Sequence, residues 1–273
     1  MNLPLRKELR SPLRYADYSL GAAAILLSAI GVGLNYSSTW RGLEFNGQDP
    51  LTYVKRQIIF VALGIAVMIA ATFLDYRLYR DFANQAYLLV MLALVGVLFF
   101  GVERNGARAW YELPGLTFQI QPAEFAKVAV VIALAAFVAN HDGHLRLVTL
   151  SNAYLMLAVP LGLIYLQPDL GTMLVFVAIG MGVLLVSGAQ LKHIFVTSLL
   201  GVIVVVGMFN SDNLGGPALL RQTQEQRLTA FLDPGFDVQG ASYNINQSQI
   251  AIGAGGISGQ GWLQGTQTNL NLV

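Results

Sequence analysis

The sequence predicts an all-α, polytopic membrane helix bundle with about seven transmembrane helices and a large extracytoplasmic loop. Hydrophobic residues make up 55% of the 273-residue chain, and only 11% of its residues are charged. A soluble domain carries about 25% charged residues, so this chain would lack the polar surface that keeps soluble proteins dispersed. The apolar residues also gather in runs of about 20, the length that crosses a bilayer core.

Seven apolar runs are predicted to span the membrane. In order, they are residues 17–36, 57–74, 84–102, 122–140, 149–166, 170–188 and 191–209. The first could instead belong to a signal peptide, because four basic residues precede it: Arg6, Lys7, Arg10 and Arg14. Its run is longer than the roughly 7–15 residues typical of a signal peptide, and no small-x-small cleavage site follows. We therefore favour an uncleaved first helix.

The flanking charges predict the orientation. Cytoplasmic loops carry an excess of Lys and Arg, and the first helix usually dominates. The basic N-terminal tail, with Arg77 and Arg80 after the second span, is therefore expected in the cytoplasm. Residues 37–56, 103–121 and the part after 210 are then expected outside. We predict one domain, with a bundle at 1–209 and a Gly-rich extracytoplasmic loop at 210–273 that is incomplete at its C-terminus.

The segment after Phe209 is polar and glycine-rich. Residues 217–232 are expected to form a short amphipathic helix that ends at Asp233 and Pro234, because helices stop before proline. Residues 243–252 are expected to form a second short helix or an extended piece. Six glycines between 253 and 265 permit tight turns and close backbone approach.

Composition excludes several functions. The chain has no cysteine, which excludes disulfides, thiolate metal sites and a cysteine nucleophile. A net charge of +1 does not indicate the strongly basic surface that nucleic-acid binding requires. Neither a phosphate-binding glycine loop nor a G-x-S-x-G elbow is present. His141 and His144 form an isolated H-x-x-H, for which a solvated loop is favoured over a metal site. We expect no cofactor, and a divalent-cation requirement is open.

Charged residues at the ends of membrane helices are functional candidates. Glu124 and Lys127 lie three residues apart on one helix face. They form either a self-neutralising pair or the polar lining of a cavity open to the outer face, where Lys127 would meet a lipid phosphate. Asp169, which follows Pro168, either caps the next helix or faces the same cavity.

The loop at 103–113 offers a second candidate group. Asn105 and Gly106 predict a turn. Arg108 presents a planar fork suited to phosphate, and Trp110 suits the membrane–water interface. An anchor at the interface is the alternative for this pair.

Several ordered motifs resemble the SEDS family (shape, elongation, division, sporulation), which includes RodA, FtsW and SpoVE. Residues 121–127, QPAEFAK, resemble its Q-P-S-E-x-x-K element, and residues 167–172, QPDLGT, match its turn. LDP at 232–234, QSQIAIG at 247–253, GG at 255–256 and GWLQGTQ at 261–267 match its large loop. GWLQGTQ makes the RodA branch look closer than the FtsW branch.

The resemblance implies a peptidoglycan glycosyltransferase that polymerises lipid II in cell-wall elongation and cell shape. It implies a multi-pass protein of the bacterial cytoplasmic (inner) membrane that works with a class B penicillin-binding protein. Cations are needed at the departing diphosphate. The resemblance suggests substrate binding for eight residues: Arg108, Trp110, Glu124, Lys127, Asp169, Arg227, Gln247 and Ser248. Among them, Arg108, Lys127 and Arg227 would supply cations, and Glu124 would orient Lys127.

The sequence departs from the family pattern in three places. Ala109 stands where the family carries an arginine, with Arg108 one position earlier, and DVQGASY at 237–243 replaces D-P-x-G-x-G-Y. Family members have ten helices and an H-T-D-F element whose Asp is the presumed catalytic base, and Val273 precedes that point. We expect a C-terminally truncated chain without polymerase activity as it stands. The alternatives are a lipid II flippase or transporter, and a non-catalytic scaffold for a class B penicillin-binding protein.

Overall fold

The computed structural model describes residues 17–104, 106–112, 119–140, 147–211, 215, 222–233, 235 and 242–269. The chain forms two compact units, residues 1–74 with 227–273 and residues 75–226. The elements are α1 (Tyr18–Phe45), α2 (Thr52–Thr72), α3 (Tyr76–Asp81), α4 (Ala83–Phe100), β1 (Val102–Arg104), β2 (Ala107–Glu112), β3 (Gln119–Ile120), α5 (Pro122–Ala139), α6 (Leu147–Leu166), α7 (Leu170–Val186), α8 (Leu191–Phe209), α9 (Gln222–Leu232), α10 (Tyr243–Gly255) and α11 (Thr266–Asn269).

The predicted all-α membrane bundle is confirmed. Six helices of the described chain, α1, α2, α4, α5, α6 and α8, are long and apolar enough to cross a membrane. The helix α7 is equally apolar but has 17 residues, at the lower end of spanning length. Each of the seven predicted apolar runs therefore coincides with a helix.

Local capping chemistry sets where several helices begin. The Asp17 carboxylate accepts hydrogen bonds from the backbone N–H groups of Ser19 and Leu20, which α1 leaves without partners in its first turn. Asp75 caps α3 in the same way. Pro122 takes the first position of α5, where a missing N–H costs nothing.

The first two helices extend beyond their predicted spans into the predicted loop at 37–56. The helix α1 continues to Phe45 instead of ending near residue 36, and α2 begins at Thr52 instead of residue 57. Hydropathy marks where a helix leaves the bilayer, whereas the backbone continues as long as its hydrogen bonds do. The hydroxyls of Ser38 and Thr39 bond back to the Asn35 carbonyl and so sit within the helix. Most of the predicted outer loop at 37–56 is therefore helical.

The expected loop at 103–113 is an antiparallel hairpin. Val102 pairs with Trp110 and Arg104 with Ala107, and β3 extends the sheet beyond β2. Gly106 lies between β1 and β2 with φ 81°, which agrees with the predicted turn and suits glycine. The predicted partner Asn105 lies outside the described residues.

The two short helices expected after residue 210 are both present in the described segments. The helix α9 covers 222–232, the C-terminal part of the predicted 217–232 helix, and α10 covers 243–255. The prediction left 243–252 open between a helix and an extended piece, and the structure shows the helix. The predicted boundary between a bundle at 1–209 and an outer loop at 210–273 concerns membrane location and stays a prediction.

The core of the second unit lies among α4, α5, α6 and α7. Leu94, Leu134, Ile164 and Phe176, one from each helix, are fully buried there. The helix α5 presents a stripe of buried small residues that includes Ala123, Ala126, Ala129 and Ala133, which lets its neighbours approach closely. No described residue of α8 is buried, as expected for an apolar helix that faces lipid.

Candidate functional site

Glu124 and Lys127 form an ion pair in the first turns of α5. The Lys127 Nζ lies 2.7 Å from the Glu124 Oε1, and the side chains are 25% and 55% exposed. Glu124 occupies the first turn, where the positive end of the helix dipole favours a carboxylate. An ammonium group carries three donors, and within the described residues Lys127 uses one of them, so two are left for an anion.

Asp169 caps α7 and connects that helix to the start of α5. Its Oδ1 accepts the Thr172 backbone N–H at 3.1 Å, and its Oδ2 accepts the Thr172 hydroxyl at 2.7 Å. Gln121, the residue before α5, donates its Nε2–H to the same Oδ2 at 3.2 Å. These bonds confirm the capping interpretation and occupy both carboxylate oxygens. They place Asp169 against the N-terminus of α5, one turn from the Glu124–Lys127 pair.

Gln167 is the most deeply buried polar residue near this junction. It is fully buried, and its Nε2 donates to the Leu94 carbonyl at 3.3 Å. Its Oε1 has no hydrogen-bond partner within the described part of the chain. A buried acceptor without a partner costs about 1–3 kcal/mol. Proteins retain such a destabilising group mainly where it contributes to a functional site. We therefore include Gln167 in the candidate cluster, which otherwise consists of Glu124, Lys127, Asp169 and Gln121.

Arg108 and Trp110 lie two residues apart on β2. A regular strand would place both side chains on one face, but the pairing shifts register here, with Arg108 opposite Glu103 and Trp110 opposite Val102. Arg108 is exposed, with its guanidinium 3.5 Å from the Leu98 carbonyl, a long contact that leaves most of its donors available. Trp110 is partly buried. The preceding Ala109 is fully buried, so the arginine that the family carries there would not fit this register. Arg108 is the exposed cation of this strand.

Tyr111 fixes the hairpin against α4. Its hydroxyl donates to the Ala93 carbonyl at 3.0 Å, and burial raises the pKa of this phenol. A Cβ at Gly96 would lie 2.6 Å from the same hydroxyl, so only glycine leaves room for it. At the hairpin edge, Arg104 and Glu112 pair at 2.7 Å, which lowers the pKa of the Glu112 carboxyl.

The remaining predicted residues lie in the other unit or outside the described side chains. Gln247 and Ser248 are neighbours on α10, and both are partly buried. The Arg227 side chain lies outside the described residues, as do His141 and His144. Among the residues described, no group of three or more His, Cys, Asp or Glu side chains could hold a metal. Substrate binding by the eight predicted residues stays a prediction.

Three further residues were missed from the sequence. Gln121, Gln167 and Tyr111 each make a polar contact that positions the cluster or the hairpin. The two glutamines stand directly before Pro122 and Pro168, at helix boundaries, and that placement is a signal the sequence offers. Tyr111 gives no comparable signal, because its bond depends on the register of the hairpin.

The chain is similar to proteins of one known family. The family model described as "Cell cycle protein" (FTSW_RODA_SPOVE) matches residues 18–273. The peptidoglycan glycosyltransferase MrdB of Escherichia coli K12 is 34% identical over 84% of this chain and 59% of its own length. The stage V sporulation protein E of Bacillus subtilis is 30% identical over 92% of this chain and 67% of its own.

Solved structures agree with this relationship. A peptidoglycan synthase complex, studied for its coordination of polymerization and crosslinking, contains a chain with 30% identity and a TM-score of 0.64. That match covers 89% of this chain and 67% of the other. The rod shape determining protein RodA of Thermus thermophilus gives 31% identity and a TM-score of 0.54 over 67% of this chain and 58% of its own. The chain thus spans about three fifths of the length of the first curated relatives it matches, at 59%.

Proposed function

The chain belongs to the SEDS family of FtsW, RodA and SpoVE, multi-pass membrane proteins, and from that premise we propose that its protein is a peptidoglycan glycosyltransferase. Its substrate is lipid II, its product is a glycan strand, and its role is cell-wall elongation and cell shape. Relatives at 34% identity carry the name peptidoglycan glycosyltransferase, which supports the reaction class. The protein lies in the bacterial cytoplasmic membrane with its N-terminus in the cytoplasm, which agrees with its basic N-terminal tail.

The structural observation that supports this proposal best is the partial burial of the Lys127 ammonium group near the start of α5. Glycosyl transfer from lipid II releases a diphosphate, and a cation must stabilise the charge that develops on it. Lys127 pairs with Glu124 through one of its three donors in the part of the chain that the structure describes. It is only 25% exposed and lies within the first two turns of a membrane helix. A partly desolvated ammonium group interacts more strongly with a diphosphate than one in bulk water does.

The carboxylates of this cluster are better suited to positioning than to proton abstraction. Both oxygens of Asp169 accept hydrogen bonds, and Glu124 is paired with Lys127. Either carboxylate would have to give up one of these bonds before it could take a proton from a sugar hydroxyl. We therefore assign Glu124 to orienting Lys127, and Asp169 with Gln121 to fixing α7 against α5.

The partner is a class B penicillin-binding protein that crosslinks the new strand. The structural neighbour described as a peptidoglycan synthase complex, which couples polymerization and crosslinking, supports this assignment. Membrane lipids surround the bundle, and no cofactor is assigned.

Reconstitution tests the proposal. The full-length protein, alone and with its class B partner in liposomes, is given labelled lipid II, and glycan strands are separated by gel electrophoresis. Strands formed by the wild-type protein, and strongly reduced by Lys127→Ala and Arg108→Ala, are expected. Movement of lipid II between leaflets without polymerisation would instead identify a flippase. Co-purification with the partner and no turnover would identify a scaffold. Full activity of both variants would overturn the site assignment.

A further inference from the structure

An apolar groove runs between α1 and α2 within the first unit. Its volume is about 560 Å³, and its long walls come from Ile25 on α1 and from Phe60, Val61, Ile65 and Met68 on α2. The α2 residues that line it recur every three to four positions from Tyr53 to Met68, which places them on one helix face. At 1.5 Å per residue this face is about 22 Å long, more than the ~15 Å thickness of one bilayer leaflet.

A second hollow of about 570 Å³ lies beside the same two helices, where they meet the glycine-rich segment at 261–268. Its lining is rich in uncharged polar side chains, including Ser37, Ser38, Thr39 and Thr268. Gly261 and Gly265 complete it and bring the backbone close. The Ser38 and Thr39 hydroxyls donate to the Asn35 carbonyl, and the Thr268 hydroxyl donates to the Gly265 carbonyl. Their oxygens can still accept hydrogen bonds, which suits an uncharged, hydroxyl-rich ligand that donates them.

The glycine-rich segment contacts α1 through its backbone and through an indole ring. The Leu263 backbone N–H donates to the Ser37 Oγ at 3.0 Å. A Cβ at Gly33 would lie 3.2 Å from the Trp262 ring, so glycine lets this indole lie against the helix. The hollow is therefore built by residues far apart in sequence.

The groove and the hollow adjoin each other and share three lining residues. Asn35, Tyr53 and Gln57 line both of them, and the Asn35 side-chain amide bonds to the Gln57 carbonyl oxygen across the two helices. A ligand could therefore place an apolar chain in the groove and a polar head in the hollow, with its connecting group at these three residues.

Free hydrogen-bond donors gather at that junction. Within the described part of the chain, no side-chain hydrogen bond or ion pair involves the Arg56 guanidinium or the Tyr53 hydroxyl, and Gln57 uses only its carbonyl oxygen. The adjacent Lys55 contrasts with them, because it is paired with Asp49 at 2.6 Å. An unpaired guanidinium at the polar end of an apolar groove is complementary to a phosphate that follows a lipid chain.

We propose that the groove, Arg56 and the hollow together bind a lipid-linked saccharide, with its isoprenoid chain between α1 and α2, its diphosphate at Arg56 and its sugar in the hollow. This inference rests on the proposed function, because polymerisation joins two lipid-linked saccharides and must hold both. Lys127 serves the departing diphosphate, so a second set of residues is required for the other molecule. The head group of a glycerophospholipid is smaller than a disaccharide and would leave most of the hollow of about 570 Å³ unfilled.

Photo-crosslinking tests this site directly. The full-length protein in phosphatidylcholine nanodiscs is given lipid II that carries a photoreactive isoprenoid, and crosslinked peptides are quantified by mass spectrometry. We expect crosslinks on α1 and α2. Gly64→Leu fills the groove, and a Cβ at Gly64 meets no atom within 4 Å, so this variant should fold. Gly21→Leu is its matched control, since a Cβ at Gly21 is equally unobstructed and this residue does not line the groove.

The expected results are specific to these helices. Arg56→Gln should reduce crosslinking on α1 and α2 by about tenfold, since the loss of one charge-assisted contact is worth about that factor. Gly64→Leu should reduce it by at least as much, because its side chain occupies the space of the isoprenoid. Gly21→Leu and Lys55→Gln should leave it unchanged. Unlabelled lipid II should compete better than undecaprenyl diphosphate, which lacks the sugar, and much better than phosphatidylglycerol.

Two outcomes would overturn the site. One is unchanged crosslinking in Gly64→Leu, and the other is equal competition by phosphatidylglycerol. Polymerisation is measured separately, so failure of the proposed function is distinguishable. Sugar-dependent crosslinks without strand synthesis would keep this site and reject the polymerase. Strand synthesis with unaltered crosslinks in Gly64→Leu would keep the polymerase and reject this site.

Discussion

The Glu124–Lys127 pair can be separated into structural and functional parts by a double-mutant cycle. The variants are Lys127→Met, Glu124→Gln and the two combined. If the pair exists only to neutralise itself, removal of both charges should restore whatever a single removal costs. If Lys127 binds the departing diphosphate, the double variant should be as inactive as Lys127→Met alone.

The structure sets the expected magnitudes. Glu124 is 55% exposed, so the pair is screened by solvent and should contribute less than about 1 kcal/mol to stability. A hydrogen bond from Lys127 to a charged diphosphate is worth about 1.5–3 kcal/mol. Its loss therefore lowers turnover by about 10- to 150-fold. Glu124→Gln removes only the orienting carboxylate, and we expect a loss of less than about tenfold.

The assay is glycan polymerisation by the full-length protein with its class B partner, beside thermal unfolding of each variant in detergent. Lys192→Met is the control, since Lys192 is an exposed cation at the start of α8 and has no part in the cluster. The two charges would be purely structural if the double variant polymerised lipid II at the wild-type rate. The same conclusion would follow if every loss of activity matched an equal loss of folded protein.

Two further predictions concern the second unit. A Cβ at Gly180 would lie 2.3 Å from the Leu157 Cδ1 between α7 and α6, so Gly180→Ala should destabilise the protein by about 1–3 kcal/mol. Gly182→Ala, whose Cβ meets no atom within 4 Å, should not, and equal thermal unfolding of the two would refute this packing. The second prediction concerns pH: the Arg104 hydrogen bond lowers the Glu112 pKa, so the contribution of this pair is present above the ordinary carboxyl pKa and is lost as pH falls through the lowered value. The protection factors of the β2 amides, which are the intrinsic exchange rates at each pH divided by the observed rates, should fall over that acidic range in the wild type and show no such step in Glu112→Gln.

The helices were predictable because one strong constraint acts on each span separately. A backbone in hydrocarbon must satisfy its own hydrogen bonds, so an apolar run of spanning length becomes a helix whatever its neighbours are. The same constraint weakens outside the bilayer. Residues 37–45 are polar enough to be assigned to a loop, yet they extend α1 because the Ser38 and Thr39 hydroxyls bond within the helix. Hydropathy therefore locates the membrane better than it locates helix ends.

The sequence indicated which charged residues form the candidate cluster, but it did not indicate all of the side chains that they contact. Intramembrane charge is rare, so Glu124, Lys127 and Asp169 could be selected from the sequence alone. Their spacing also predicted the pairing of Glu124 with Lys127, because both lie on one α5 face. The bond from Gln121 to Asp169 crosses 48 positions, and no local pattern specifies which polar side chain a cap will meet.

The sequence of a glycine-rich segment does not show which part of the protein it contacts, and the hollow beside α1 is an example. Glycines permit many turns, so their pattern indicates close approach without saying what is approached. The structure identifies α1 as the element that is approached, through the Leu263 bond to Ser37, across 226 positions, and through the space that Gly33 leaves for Trp262. These contacts place the glycine-rich segment beside residues 37–39. In the sequence, the hydroxyls of these residues indicate only the end of a membrane span, whereas in the structure they line the hollow. Substitution of Gly33 by leucine should therefore displace Trp262 and weaken sugar-dependent binding, while isoprenoid binding in the groove persists. Equal loss of both would contradict a separate head-group site.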